Sequence, residues 1–111
     1  MIRYDPRYPI KTWQIVYSTS GFNPSYIGNV MIGDSIRFYN KSKIRMKIDF
    51  YRGGNIRQLH TVMQGRSVKI KINQATSYFY IETHTHDRGS FIVGGRPMLP
   101  PGWFKWNKQL K

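Results

Sequence analysis

Three histidines, four aspartates and one glutamate are the side chains of this 111-residue chain that could ligate a metal or carry a proton. His84 and His86 stand two apart, so in an extended strand both imidazoles face one side, and His60 is a third that could complete a zinc-type set. Thr83, Thr85 and Asp87 around them are turn-entry residues, and a His-x-His pair alone is a weak metal signal. Solvated or hydrogen-bonded histidines are therefore expected. No two carboxylates are spaced to share a surface, and Asp5 and Asp34 fall in turn sequences. No serine or threonine lies in a nucleophile elbow, and Gly53-Gly54 and Gly94-Gly95 match no phosphate-binding loop. The absence of cysteine excludes disulfides and thiolate sites. The expectation is a protein that is not an enzyme and carries no cofactor.

Charge is the stronger signal. The net charge is +13, and ten of the 18 basic residues lie between Arg37 and Lys71 against a single acid, Asp49. Several alternate with apolar residues, as in Ile44-Arg45-Met46-Lys47-Ile48 and Val68-Lys69-Ile70-Lys71-Ile72. A period of two puts an oily row on one face of a strand and charge on the other. Arg37, Arg45, Lys47, Lys69 and Lys71 are the candidate binding face. A positive field of this size attracts nucleic acid, anionic surfaces or acidic protein.

The elements that must position these residues read as strand after strand. Residues 12–18, 26–32, 35–40, 44–51, 67–72, 78–83 and 90–93 have strand patterns, separated by turn sequences such as Gly33-Asp34, Arg52-Gly53-Gly54-Asn55 and Asp87-Arg88-Gly89. Residues 20–25 read as a loop, and 56–63, of mixed polarity, as an edge strand or a loop. No segment keeps helical periodicity over three turns. The composition, 40% apolar and 15% aromatic, is that of a chain able to offset its folding entropy, so the charge is mounted on a folded scaffold. One domain is expected: an antiparallel Greek-key sandwich of seven to eight strands over residues 12–93.

Two arms flank it. Residues 1–11 hold Tyr4 and Tyr8 between prolines, and residues 94–111 hold Pro97, Pro100 and Pro101, then Trp103, Phe104 and Trp106. Proline keeps both out of a central strand. Their aromatic residues need cover, either by folding back on the sandwich or by docking on another subunit.

Gly33-Asp34-Ser35-Ile36-Arg37-Phe38-Tyr39-Asn40 resembles the cupredoxin stretch in which a Gly-Asp turn starts a strand ending in Asn. Tyr78-Phe79-Tyr80-Ile81-Glu82-Thr83-His84 resembles the Tyr-Cys-x-x-His segment of the same family. The likeness spans roughly residues 26–93 and implies a cupredoxin-like sandwich. It places Ile81 at the copper thiolate, Met46 at the first histidine, His84 at the second, and the methionine near Gly89. One histidine cannot make a blue-copper centre, so the resemblance implies the shell without the metal. It also pairs the third strand with the sixth, putting Arg37, Lys69 and Lys71 on one sheet and Arg45 and Lys47 on the other, so that charge wraps both outer faces.

The resulting expectation is a non-catalytic structural or interaction protein, a small basic subunit of a larger assembly such as a virus or phage particle, in a capsid, decoration or connector role. Its partners would be acidic surfaces of other subunits, in multiple copies. The alternative is nucleic-acid binding, with Tyr39, Tyr51, Tyr78 or Tyr80 stacking on bases beside the basic strands. No run has signal-peptide or membrane-span character, which places the protein in the cytoplasm or a virion, with no membrane partner.

Overall fold

The computed structural model describes residues 5–53 and 56–97. They form nine strands: β1 (Thr12–Ser18), β2 (Gly21–Asn23), β3 (Tyr26–Met31), β4 (Ser35–Asn40), β5 (Met46–Arg52), β6 (Ile56–Val62), β7 (Ser67–Lys71), β8 (Ser77–Glu82) and β9 (Arg88–Gly94). Two sheets stack, one in the order β2-β1-β4-β7 and the other β3-β9-β8-β5-β6. Among the described residues there is no helix.

The sandwich expected from the alternation is present, and 56–63 takes the first of its two readings, as the edge strand β6. Two differences stand out. The segment read as a loop, 20–25, contains the short strand β2. The sheets are mixed: β1 runs parallel to β4, and β3 parallel to β9, while the remaining pairs are antiparallel. Side-chain alternation has the same period in both directions, so the pattern that located the strands carried no record of their polarity. The chain crosses between sheets from β2 to β3 and back to β4, and that crossover permits the parallel β1–β4 pair.

The core is aromatic. Phe38 and Tyr80, both fully buried, meet edge to face at 4.9 Å between centroids, and Phe22 meets Tyr80 at 4.8 Å. Tyr78 stacks on Phe91 at 4.9 Å. Each such pair adds about 0.5–1.5 kcal/mol to what burial of the rings alone provides. Tyr78 and Tyr80, offered above as base-stacking residues, are thus core residues. They occupy the inward positions of β8, 3% and 0% exposed. Gly89, opposite Tyr80, lies directly beneath that ring; a Cβ there would sit 2.3 Å from it.

Two buried polar residues from the Gly-Asp…Asn stretch fasten the ends of β4. Gly33 takes a φ of +96°, a conformation glycine adopts without strain, and this delivers Asp34 into the interior. Asp34 accepts from the Lys11 amide at 3.0 Å, the Trp13 indole at 2.9 Å, the Met31 amide at 3.1 Å and the Arg96 guanidinium. Burial pushes its carboxyl up, but these donors outweigh it and hold the group below the usual carboxylate range. At the other end the Asn40 amide donates to the Ile44 and Val62 carbonyls, each at 2.8 Å, and its oxygen accepts from Ser42. Arg96 also donates to the carbonyls of Ile32 and Tyr8, and the Asp5 amide donates to the Pro97 carbonyl. The described parts of both arms are thereby tied to the sandwich and to each other. Tyr4, Trp103, Phe104 and Trp106 lie outside the described residues.

Candidate functional site

The three histidines do not come together. His60 points inward from β6, opposite Ile48, with Ile48 standing between it and Glu82 on β8. Burial lowers the pKa of His60, and its Nε2 has no hydrogen-bond partner. His84 lies in the turn between β8 and β9, its Nδ1 3.2 Å from Glu82. His86 has a φ of +62°, so residues 84 and 86 do not share an extended face as the sequence suggested. Among the described residues no group of three or more His, Asp or Glu side chains is placed to hold a metal ion.

The residues that the resemblance sets at the copper positions do not converge. Met46 is fully buried on the inner side of β5, whereas Ile81 lies on the outer side of β8, between the inward Tyr80 and Glu82. His84 is exposed. A hydrocarbon side chain facing away from its supposed co-ligands cannot replace a thiolate, and the set does not fit copper. The inward residue at the end of β8 is Glu82, whose importance the sequence reading missed. It is fully buried and accepts from the backbone amides of Lys47 at 2.6 Å, Thr85 at 3.1 Å and His84. Its carboxylate takes up free amides and so locks the β8–β9 turn onto β5. The signal was available in the row Tyr78, Tyr80, Glu82: an acid at an inward position must be met by donors. The turn is held a second time by Tyr17, whose hydroxyl donates to Asp87 at 2.8 Å and lies 2.7 Å from the Thr85 hydroxyl. Burial pushes the Tyr17 phenol up to about 12.

The basic candidates fall into two groups. On the four-stranded sheet, β4 pairs with β7 so that Arg37 lies opposite Lys69 and Ser35 opposite Lys71. All three cations are exposed on the outer face, beside Thr12 and Gln14 of β1. This face is polar and basic. On the other side, Arg45 and Lys47 line a shallow hollow with Ile44 and His84, at the edge of the five-stranded sheet.

The rest of that second outer face differs from the expected basic wrap. Register places Leu59, Asp49, Ile81 and Arg88 in one row across β6, β5, β8 and β9, and Arg57, Tyr51, Phe79, Ser90 and Tyr26 in the next. Ile92 follows, opposite Ser77. Leu59 is 57% exposed, Tyr26 55%, Phe79 49% and Ile92 43%. Arg57 clamps Asp49 through two hydrogen bonds, at 2.9 and 2.8 Å, and so neutralises the acid in the middle. The face is an apolar and aromatic surface with cations at its borders. Tyr51 does lie on it, half-buried, while Tyr39 is half-buried on the outer side of β4.

No protein-family model matches the chain, and no curated protein sequence does. Solved cupredoxin structures do resemble it. A Cu(I) amicyanin variant matches with a TM-score of 0.67 at 14% identity, over 84% of this chain and 91% of that one. A second Cu(I) amicyanin variant gives 0.66 at 16% identity, over 75% and 82%. A purple cupredoxin from Nitrosopumilus maritimus gives 0.62 at 15% identity, over 74% and 99%. The fold is cupredoxin-like.

Proposed function

We propose that this protein is a non-catalytic interaction subunit of a larger assembly, holding acidic protein neighbours through its two outer faces. The observation that carries this reading is strand β8. It is the central strand of the five-stranded sheet and is apolar on both sides, Tyr78 and Tyr80 inward and Phe79 and Ile81 outward. Continuous apolar runs belong to strands covered on both faces. Here the inner side is covered by the other sheet, and the outer side presents Phe79 beside Leu59, Ile92 and Tyr26. The net charge of +13 opposes self-association and favours an acidic neighbour with apolar contact residues. A capsid, decoration or connector component of a virus or phage particle would meet these requirements, with the Arg37, Lys69 and Lys71 face on a second acidic surface.

The test is native sedimentation with carbodiimide coupling, which joins lysine ammonium groups to carboxylates in direct contact. The expected result is a chain that sediments far above its 13.1 kDa and couples to a partner through Lys69 or Lys71, and that is released from the complex by Phe79→Glu. A chain that sediments alone under native conditions overturns the reading. Nucleic-acid binding is favoured by one observation, the Tyr51, Phe79 and Tyr26 row flanked by arginines, since stacked bases contribute ~1–3 kcal/mol each on such platforms. The aliphatic Leu59, Ile81 and Ile92 on the same face suit protein better. Tight oligonucleotide binding that weakens steeply with salt, and that Phe79→Glu abolishes, would decide for nucleic acid.

A further inference from the structure

The inner face of β5 carries Met46, Ile48 and Phe50, and the alternation then brings Arg52 to the same side. A cation at an inward position needs a partner, and the aspartate and glutamate side chains, all among the described residues, are engaged elsewhere. Asp5 holds Arg7, Asp34 holds Arg96, Asp49 holds Arg57, Glu82 holds backbone amides, and Asp87 accepts from Tyr17. What Arg52 does meet is the Tyr78 hydroxyl. Beside it lies a cavity of about 150 Å3 at the open edge between the two sheets, lined by Phe50, Arg52, Gln58, Ile70, Ile72 and Tyr78 among others. One wall is apolar and buried: Phe50, Ile72 and Tyr78 are at most 4% exposed. The other lining residues are polar: Arg52, Lys71, Gln58 and Asn73.

We propose that this cavity binds a small organic anion, a compact apolar body of about one aromatic ring bearing a single carboxylate that Arg52 holds. Size argues for the body, since a cavity of about 150 Å3 lined by Leu, Ile and Phe admits benzene. Charge and shape argue for the head group. The planar guanidinium fork matches a carboxylate with two parallel hydrogen bonds, and the Gln58 amide is at hand to accompany it. Lys71, also in the lining, adds a second positive charge on the same side, whereas inorganic phosphate has no apolar body to place against Phe50, Ile70 and Ile72. The site meets the basic outer face at Lys71, but its test reads a small ligand on the isolated chain, so it stands or falls independently of the assembly reading.

The experiment is an NMR titration of the full chain with benzoate, observing backbone amides and isoleucine methyls. Saturable shifts are expected at Phe50, Ile70 and Ile72, with benzoate binding at least tenfold tighter than neutral benzamide and persisting in equimolar inorganic phosphate. Arg52→Gln should weaken benzoate at least tenfold, the least that a hydrogen-bonded charge contributes. Absence of saturable shifts, shifts centred on Arg37 and Lys69 instead, displacement by phosphate, or equal binding of benzamide would each overturn the proposal. So would a folded Arg52→Gln protein that binds benzoate unchanged. If that variant fails to fold, the benzoate and benzamide comparison on the unaltered chain decides by itself.

Discussion

The two outer faces of this sandwich are made by the same alternation and end up chemically opposite. On the four-stranded sheet the outward positions of β1, β4 and β7 hold Thr12, Gln14, Arg37, Lys69 and Lys71, with Val16 and Tyr39 half-buried at one end. On the five-stranded sheet those of β3, β5, β6, β8 and β9 hold Tyr26, Tyr51, Leu59, Phe79, Ile81 and Ile92 around one Asp49–Arg57 pair. The first face is content in water. The second leaves hydrocarbon exposed that would gain roughly 25 cal/mol for each Å2 covered. A basic chain thus does not have a uniformly basic surface: its exposed apolar residues and its exposed cations lie on different faces.

The largest expected effect removes both faces at once. Gly89→Ala would drive a methyl into the Tyr80 ring and should cost about 3 kcal/mol, a large share of the stability of a domain this size, read as a lower urea midpoint. Next come the variants that separate the faces. Phe79→Glu should leave folding within about 1 kcal/mol, because the site is half exposed, yet weaken partner association by about 2 kcal/mol at any salt concentration. Arg37→Glu should weaken association about tenfold at low ionic strength and have little effect near 1 M salt. Equal salt dependence in the two variants would mean that the faces are not distinct in function.

The smallest effect concerns His60, the inward imidazole of β6. Burial lowers its folded-state pKa below 6.5, so the unfolded chain takes the proton more readily. Stability is then whole above about pH 6.5 and declines as pH falls through the window beneath it. His60→Phe should flatten that decline in unfolding curves taken from pH 7 to pH 5, and an unchanged slope would show that the ring titrates freely.

How much of this could be read beforehand differs from segment to segment. Strands β1, β4, β5 and β7 alternate cleanly, and their faces followed from the residues. That Arg37 and Lys69 share a sheet followed from the resemblance, and the register of β4 on β7 then sets them directly opposite. Strand β8 was legible as a strand but not by face, because Tyr78, Phe79, Tyr80 and Ile81 are apolar without interruption and a one-residue shift exchanges the two sides. That ambiguity put Tyr78 and Tyr80 in the candidate stacking set, and the resemblance set Ile81 at the metal position, when the inward residues are Tyr78, Tyr80 and Glu82.

By itself, the sequence determined a cysteine-free, strand-built domain with cations concentrated between residues 37 and 71, because composition and period-two alternation are local properties of the chain. Only the tertiary structure decided which strands run parallel, which side of β8 meets solvent, and that Asp34 and Glu82 serve as internal fasteners. Those outcomes depend on contacts between residues far apart in sequence: Asp34 meets Arg96, and Glu82 meets the Lys47 amide, only once the sheets have closed. The same closure separates the basic face from the apolar one and leaves Arg52 and Lys71 beside a cavity with no carboxylate among its described lining residues.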